Sequence, residues 1–271
     1  MLSRLRSRFA SPRFLSPEQR RSLACAWPRD VQQRALTLAR MLRPYKVPGV
    51  RKIRVGGDQD GAYIMLDDLK EAETAFSLGV GPNVDWDFEM AGRGLLVHQF
   101  DHTVECSPRK HERFHFHKRM IAAVPTEGAD TLVSMLDHAV THRPQSSILK
   151  IDIENAEWGV FAHATPDVFH KFSQILCEFH ALDYLHLNHH WDLALRGLSN
   201  LKKFFEVVHV HANNSAGITY IDGRPLPFVI EATLVSRARY DTRPGTETFP
   251  GALDRPNDPG KTDYELGKFD L

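Results

Sequence analysis

The stretch Ala75-Phe-Ser-Leu-Gly-Val-Gly-Pro-Asn-Val-Asp85 decides how the chain is read. An apolar run breaks into Gly79-Val-Gly81, a helical-looking segment follows, and a second apolar run, Leu95-Leu-Val-His-Gln-Phe-Asp101, ends on an acid. A nucleotide-type ligand asks this of a βαβ unit: glycines let the backbone approach the ligand, and the acid binds ribose hydroxyls. Gly-x-Gly by itself also serves any strand-to-helix turn that needs a positive φ. The rest of the chain has to decide between the two.

Downstream the apolar pattern alternates. Strands are expected over 75–78, 95–100, 114–123, 147–153, 174–179 and 206–211. Helices are expected over 86–92, 131–142, 157–162, 166–172 and 191–205, with a short helical connection at 108–111. Strands separated by helices imply an α/β, Rossmann-like, mostly parallel sheet with helices on both faces, which binds ligands at the carboxyl ends of its strands. Near the C-terminus, the runs 217–222 and 226–236 flank Asp222-Gly223, a hairpin turn signal. Past Tyr240 the chain is rich in Pro, Gly, Asp and Thr and is expected to be irregular, either closing the site or hanging loose. Upstream, 50–66 reads as a hairpin around a Gly/Asp turn. The plainer expectation is an edge hairpin; the functional one lays it over the crevice with Asp60, Gly61 or Tyr63 reaching in.

Composition narrows the classes. The 271 residues carry 34 basic and 34 acidic side chains, so no net charge draws the protein to nucleic acid. Cys25, Cys106 and Cys177 lack metal-site spacing and a disulfide framework, which suits a reducing, cytoplasmic setting. No apolar run reaches the roughly 20 residues that span a bilayer. Arg4, Arg6, Arg8, Arg13, Arg20 and Arg21 face one acid, Glu18, within the first 21 residues. This reads as a solvated basic arm, with a presequence or peripheral membrane contact as alternatives. A helix is expected from Pro28 until Pro44 stops it. The organisation is thus a basic arm and helix over 1–50 and one domain over 51–271.

Polar residues gather where strands end, in Lys150-Ile-Asp152-Ile-Glu154, Cys177-Glu178-Phe-His180 and His209-Val-His211. Side chains alternate along a strand, so Asp152 pairs with Glu154, Glu178 with His180 and His209 with His211 on common faces. An acid ending an apolar, buried strand is costly without a task. Such groups serve as general bases, or hold a divalent cation such as Mg²⁺ or Mn²⁺, for which Asp152, Glu178 and His180 are the candidates. The plain alternative for any one histidine is a local hydrogen bond, and His189 and His190 read as a solvated loop.

Gly79-Val-Gly81, Asp101 and above all Leu149-Lys-Ile-Asp-Ile-Glu-Asn-Ala-Glu157 resemble the class I S-adenosylmethionine-dependent methyltransferases of the FkbM-like group, in the branch that includes the methyltransferase-like 24 proteins. Arg54 with Asp60-Gly61-Ala-Tyr63, His209-Val-His-Ala-Asn-Asn214, Pro227 to Thr233 with Glu231, and Phe249-Pro-Gly-Ala-Leu-Asp-Arg-Pro-Asn257 are similar too. The likeness runs from about Arg51 to the C-terminus. It implies a seven-stranded sheet with a late antiparallel hairpin, with Ser77, Gly79, Gly81, Asp101 and Asp152 around S-adenosylmethionine. Two positions depart from the pattern: Ser77 stands where many class I enzymes have an acid, and Asn83 replaces a third glycine.

The implied reaction is O-methylation of a sugar or similar polyhydroxylated molecule. A sulfonium methyl is already activated, so the protein must mainly align the acceptor and take its proton. Asp152 and His180 are the leading catalytic candidates, supported by Glu154, Glu178, His209 and His211. A nicotinamide-dependent oxidoreductase and a non-catalytic binding protein on the same fold are the alternatives. The long N-terminal segment offers a surface for a second subunit.

Overall fold

The computed structural model describes residues 27–138 and 146–269. The Arg-rich arm, Cys25 and the last residues of the helix expected over 131–142 lie outside the described residues. Helix α1 (Arg29–Met41) starts after Pro28 and buries Val31, Ala35, Leu36, Leu38 and Ala39 on one stripe, as its sequence spacing dictates. Then come β1 (Tyr45–Lys46) and the hairpin strands β2 (Lys52–Val55) and β3 (Tyr63–Leu66), which pair antiparallel.

The main sheet begins with β4 (Thr74–Leu78), helix α2 (Asp85–Gly92), β5 (Leu96–Phe100) and β6 (Phe114–His117). The short pair β7 (Met120–Ile121) and β8 (Ala129–Asp130) forms a separate parallel sheet. The single strand expected over 114–123 is therefore broken, and the connection expected to be helical at 108–111 is irregular, a bend at 108–109 followed by chain without regular structure. Helix α3 (Leu132–Asp137) opens on a capping box in which Thr131 and Ser134 satisfy each other's backbone N–H. Next are β9 (Ser147–Ile151), α4 (Glu157–His163), α5 (Pro166–Phe169), β10 (Phe172–Phe179), α6 (Asn188–Phe204) and β11 (Phe205–Ala212). The chain ends with β12 (Ile218–Ile221), β13 (Arg224–Pro227), β14 (Ile230–Ser236) and β15 (Arg243–Pro244), which pairs with β1.

Seven strands form the central sheet in the order β11-β14-β10-β9-β4-β5-β6. All neighbours are parallel except β14, which runs antiparallel between β10 and β11. The α/β, Rossmann-like sheet expected from the sequence is present. One detail differs: the Asp222-Gly223 turn joins β12 to β13, a two-stranded excursion of its own, and 226–236 is split so that only β14 enters the main sheet. Phe228 and Val229 between them are where the chain leaves the hairpin.

Both faces of the sheet are covered over its centre: every residue of β4, β9, β10, β11 and β14 is buried, polar ones included. On one side Phe76, Leu149, Ile151 and Phe179 pack with Trp158, Leu198 and Leu38 of the helical layer. On the other, Ala75, Val97, Ile148 and Leu176 pack with Trp86, Met90, Tyr63 and Met65. The β2–β3 hairpin is thus not an edge. It lies on the sheet face, where Thr233 donates its hydroxyl to the Ile64 carbonyl and Gln174 pairs its side-chain amide with the Leu66 backbone.

Candidate functional site

The order of the strands reverses between β4 and β9: the chain leaves β4 toward β5 on one side and returns to β9 on the other. A crevice opens outside such a switch point, at the strands' carboxyl ends. Strand register aligns the candidate residues along it. Leu78 is level with Phe100 and Ile151, and Ile151 with Cys177. The next positions are therefore Asp101, Gly79, Asp152 and Glu178. Because β14 runs backwards, its first residues join the same row, with Glu231 level with Glu178 and His211. Sequence alone places these groups at strand ends; the sheet order makes them neighbours.

The glycine loop is held from below and from the side. Lys150, almost fully buried, donates its ammonium to the Gly79 carbonyl at 3.2 Å and to Ser77 Oγ at 3.4 Å. Beside it Asp87, buried and accepting from Gln99 at 2.8 Å, is pushed above the usual carboxylate range by burial, with Lys150 opposing. The Ser77 hydroxyl thus accepts from this lysine. Gly79 and Gly81 both have positive φ (76° and 58°), which glycine adopts freely.

Asp101 clamps the loop from the end of β5. Its Oδ2 accepts from Val80 N at 2.9 Å and Gly81 N at 3.2 Å, and its Oδ1 from the backbone N–H and hydroxyl of Thr103. Burial would raise its pKa, but these four bonds outweigh it and hold the carboxyl below the ordinary value.

Asp152 opens a charged cluster that continues into β10. His180 lies between Glu157, whose Oε1 is 3.1 Å from Nδ1, and Glu178, whose Oε2 is 3.1 Å from Nε2; Asp152 Oδ1 is 3.8 Å from the same Nε2. Burial alone would depress the imidazole's pKa, yet its bonds to Glu157 and Glu178 push it up to about 12. A carboxylate oxygen on each ring nitrogen favours the protonated ring over a free base. Glu178 also accepts from Asn213 at 2.7 Å, and its pKa is lowered against burial by His180 and Asn213. Asp152 is raised well above the usual range, first by burial and then by the Glu178 charge, and its side chain keeps 27% exposure. Among these groups Asp152 combines access to the crevice with a raised proton affinity. Tyr63, buried under the hairpin, faces the same carboxylates, and its phenol is raised by burial and then by Asp152.

The other expected residues have different places. Glu154 is exposed in a turn where it and Asn155 both adopt positive φ (57° and 80°), and it stays out of the cluster. Its neighbour Glu157 takes the buried position, accepting also from Ile153 N at 2.9 Å. His211 is buried between Glu231 at 3.1 Å and Asp263 at 3.0 Å; burial opposes, but the Asp263 and Glu231 bonds raise it to about 10. His209 bonds Asp254 at 2.8 Å and stands on β11 beyond β10 and β14 from Asp152. His190 is not in a solvated loop: it is buried in the first turn of α6, edge-on to Trp158 and Tyr184, and burial lowers its pKa to about 4.

Sequence reasoning did not find how the tail serves this row. Asn257 donates to Asp60 Oδ1 at 2.8 Å and to Glu231 Oε1 at 2.6 Å, tying hairpin, sheet and tail together. Asn214 holds the tail backbone by accepting from Asp258 N and donating to the Asp258 and Lys261 carbonyls. The tail, left open as lid or loose end, is fixed over the ends of β11 and β14. Two donor sets could hold a cation: Asp152, Glu178 and His180, or Asp60, Glu178 and Glu231, each with atoms within 4.8 Å of one another. A cavity of about 190 Å³ bordered by Asp68, Glu71, Ser146, Ser173 and Tyr240 lies at the opposite, amino ends of β9 and β10 and takes no part in this arrangement. No family model and no curated protein matches the chain. Among the described residues, no helix is long and apolar enough to cross a membrane.

Proposed function

We propose that the protein is an S-adenosylmethionine-dependent O-methyltransferase of the FkbM-like kind, acting on a hydroxyl of a sugar or similar polyhydroxylated small molecule. The observation that carries this reading is the meeting of the Gly79–Gly81 loop and Asp152 at one switch point, in a seven-stranded sheet of the type the sequence resemblance implies. The positive-φ glycines form a cradle with no bulk at Gly81, where an added Cβ would meet no atom within 4 Å. That open space fits a ligand approaching the backbone. Asp101 is at the right strand end for ribose; its bonds to Thr103, an exposed residue, are the ones ribose hydroxyls can replace, while Oδ2 keeps the loop in place.

S-adenosylmethionine, when bound, supplies an already activated methyl group. The chain's own task is then to orient the acceptor and take its proton. Asp152 is the proton acceptor in this reading, because burial and Glu178 raise its affinity for a proton and its side chain reaches the crevice. His180, charged and held by Glu157 and Glu178, fixes the carboxylates and offsets their repulsion. If a divalent cation is used, Asp152, Glu178 and His180 would hold it once His180 gives up its Nε2 proton, since a charged imidazolium has no lone pair to offer; an imidazole in the set suits Mn²⁺ better than Mg²⁺. Methyl transfer from S-adenosylmethionine to a panel of sugars and glycosides tests the reading, with an EDTA-treated sample testing the cation. An inert panel together with absent donor binding would reject the enzyme; unchanged activity after EDTA would reject the cation alone.

A further inference from the structure

Tyr63 opens β3 where the hairpin crosses the sheet, a course fixed by the bonds of Leu66 to Gln174 of β10 and of Ile64 to Thr233 of β14. Its ring packs in one cluster with Ala75, Ile148, Leu176 and Trp86. Side chains alternate along a strand, so Ser77, Lys150 and Glu178, two places on from the first three, share that face, with Asp152 following on β9. The ring thus lies one step before the polar row of the crevice. Burial, and then the charges of Asp152, Glu178 and Glu231, raise the phenol, so the hydroxyl keeps its proton.

The ring is buried, with 2% exposure, but the hydroxyl is not sealed. It forms no hydrogen bond among the described residues, yet unlike Trp86 Nε1 and Asp87 Oδ2, which are partnerless and closed off, it keeps contact with solvent. A buried phenol normally finds a partner. The cations nearby are already engaged: His180 between Glu157 and Glu178, His211 between Glu231 and Asp263, Lys150 with Gly79 and Ser77, and Arg54 with the Gly57 and Gln59 carbonyls. An anionic ligand group could accept the phenol's proton, but it meets the charges of Asp152, Glu178 and Glu231. An ammonium suits those carboxylates and has no lone pair for the phenol. A hydroxyl serves both, since its oxygen accepts one hydrogen bond while its proton is given to another.

We propose that Tyr63 binds the reacting hydroxyl of the acceptor: its O–H donates to the acceptor oxygen, whose own proton points to Asp152. The proposal rests on the methyltransferase reading. An alcohol oxygen has two lone pairs, so one takes the bond from Tyr63 and the other stays free toward the methyl donor. An amine nitrogen has one, which cannot serve both. Tyr63 therefore also selects oxygen acceptors over nitrogen.

The test uses the full chain and Tyr63→Phe, which keeps the ring and removes only the hydroxyl. Methyl transfer to the best of a panel of methyl glycosides should fall about tenfold or more in kcat/KM, with calorimetric affinity for S-adenosylmethionine and the melting temperature little changed. An unchanged kcat/KM would overturn the proposal while the enzyme reading stands. An equal loss of donor affinity would overturn it too, because Tyr63 would then be part of the donor loop's support. A second readout needs neither turnover nor a folded Tyr63→Phe. With 3-fluorotyrosine placed at position 63, the fluorine-19 resonance should move as a methyl glycoside is titrated in. Movement in a chain that does not methylate would reject the enzyme reading and keep the hydroxyl contact; a resonance that no methyl glycoside of the panel moves overturns the proposal in either case.

Discussion

Gly79 is pressed against Asp152: a Cβ added to Gly79 would stand 1.6 Å from the Asp152 carbonyl oxygen. The loop that organises the fold and the acid proposed to do the chemistry are in backbone contact, continued by the Asp152 N–H donating to the Leu78 carbonyl at 2.9 Å. Glycine at 79 is therefore required by the packing of β4 on β9, whatever the ligand.

Gly79→Ala should be severely destabilising, because the clash is with backbone that cannot swing away. A loss of about 3 kcal/mol or more is expected. Gly81→Ala meets no atom and loses only the cost of its left-handed φ, about 1–2 kcal/mol. Urea denaturation of the two variants should separate them clearly; equal losses would contradict the apposition of Gly79 and Asp152.

Asp152→Asn removes the proposed proton acceptor without changing its shape. Methyl transfer should fall by roughly 10²–10⁴-fold in kcat, while affinity for S-adenosylmethionine changes little. The wild-type rate should fall on the acid side with a pKa above the ordinary carboxylate value, since burial and Glu178 raise Asp152. An acid limb at an ordinary carboxylate pKa would argue against this base.

Acid should unfold the protein through its β5–β6 histidines. His98 Nδ1 and His117 Nε2 are 3.1 Å apart, and the rings stack with each other and with Phe76 and Phe100. Burial first, then neighbouring imidazoles (His117, His115 and His138 around His98; His138 and His115 around His117), lower both to about 4. The unfolded chain takes up these protons near pH 6.5 and the folded one only near pH 4. Stability is therefore held above pH 6.5 and lost as pH falls from there toward 4. Thermal melts across that window should show the loss, and His98→Phe should flatten it. A slope unaltered by His98→Phe would assign the acid sensitivity elsewhere.

Asn214→Ala cuts the side-chain bonds that hold residues 258–261 of the tail. Limited proteolysis should then cleave the tail beyond Tyr240 faster while the sheet remains resistant. Unchanged cleavage would mean that buried Phe249, Leu266 and Phe269 anchor the tail without Asn214.

The α/β class was legible because buried parallel strands leave mostly apolar runs, as at Thr74–Leu78 and Ser147–Ile151, and α1 because its apolar residues keep helical spacing between two prolines. Strand order was not legible. Nothing in Ile230–Ser236 announces that β14 inserts backwards between β10 and β11, and that insertion brings Glu231 beside Glu178. Asp101 and Asp152 were visible as acids ending apolar runs. Glu157 was harder, since its role depends on the left-handed turn at Glu154 and Asn155, which turns Glu154 out and leaves Glu157 against His180. The parts played by Asp254, Asn257 and Asp263 depend on where an irregular tail comes to rest, and local pattern carries no trace of that.

The most direct measurement of the central claim is calorimetric titration of the full chain with S-adenosylmethionine, run beside NAD and beside an Asp101→Ala variant. The account predicts saturable one-to-one binding of S-adenosylmethionine, no heat with NAD, and loss of donor affinity in Asp101→Ala. Failure to bind S-adenosylmethionine at millimolar concentration would contradict it.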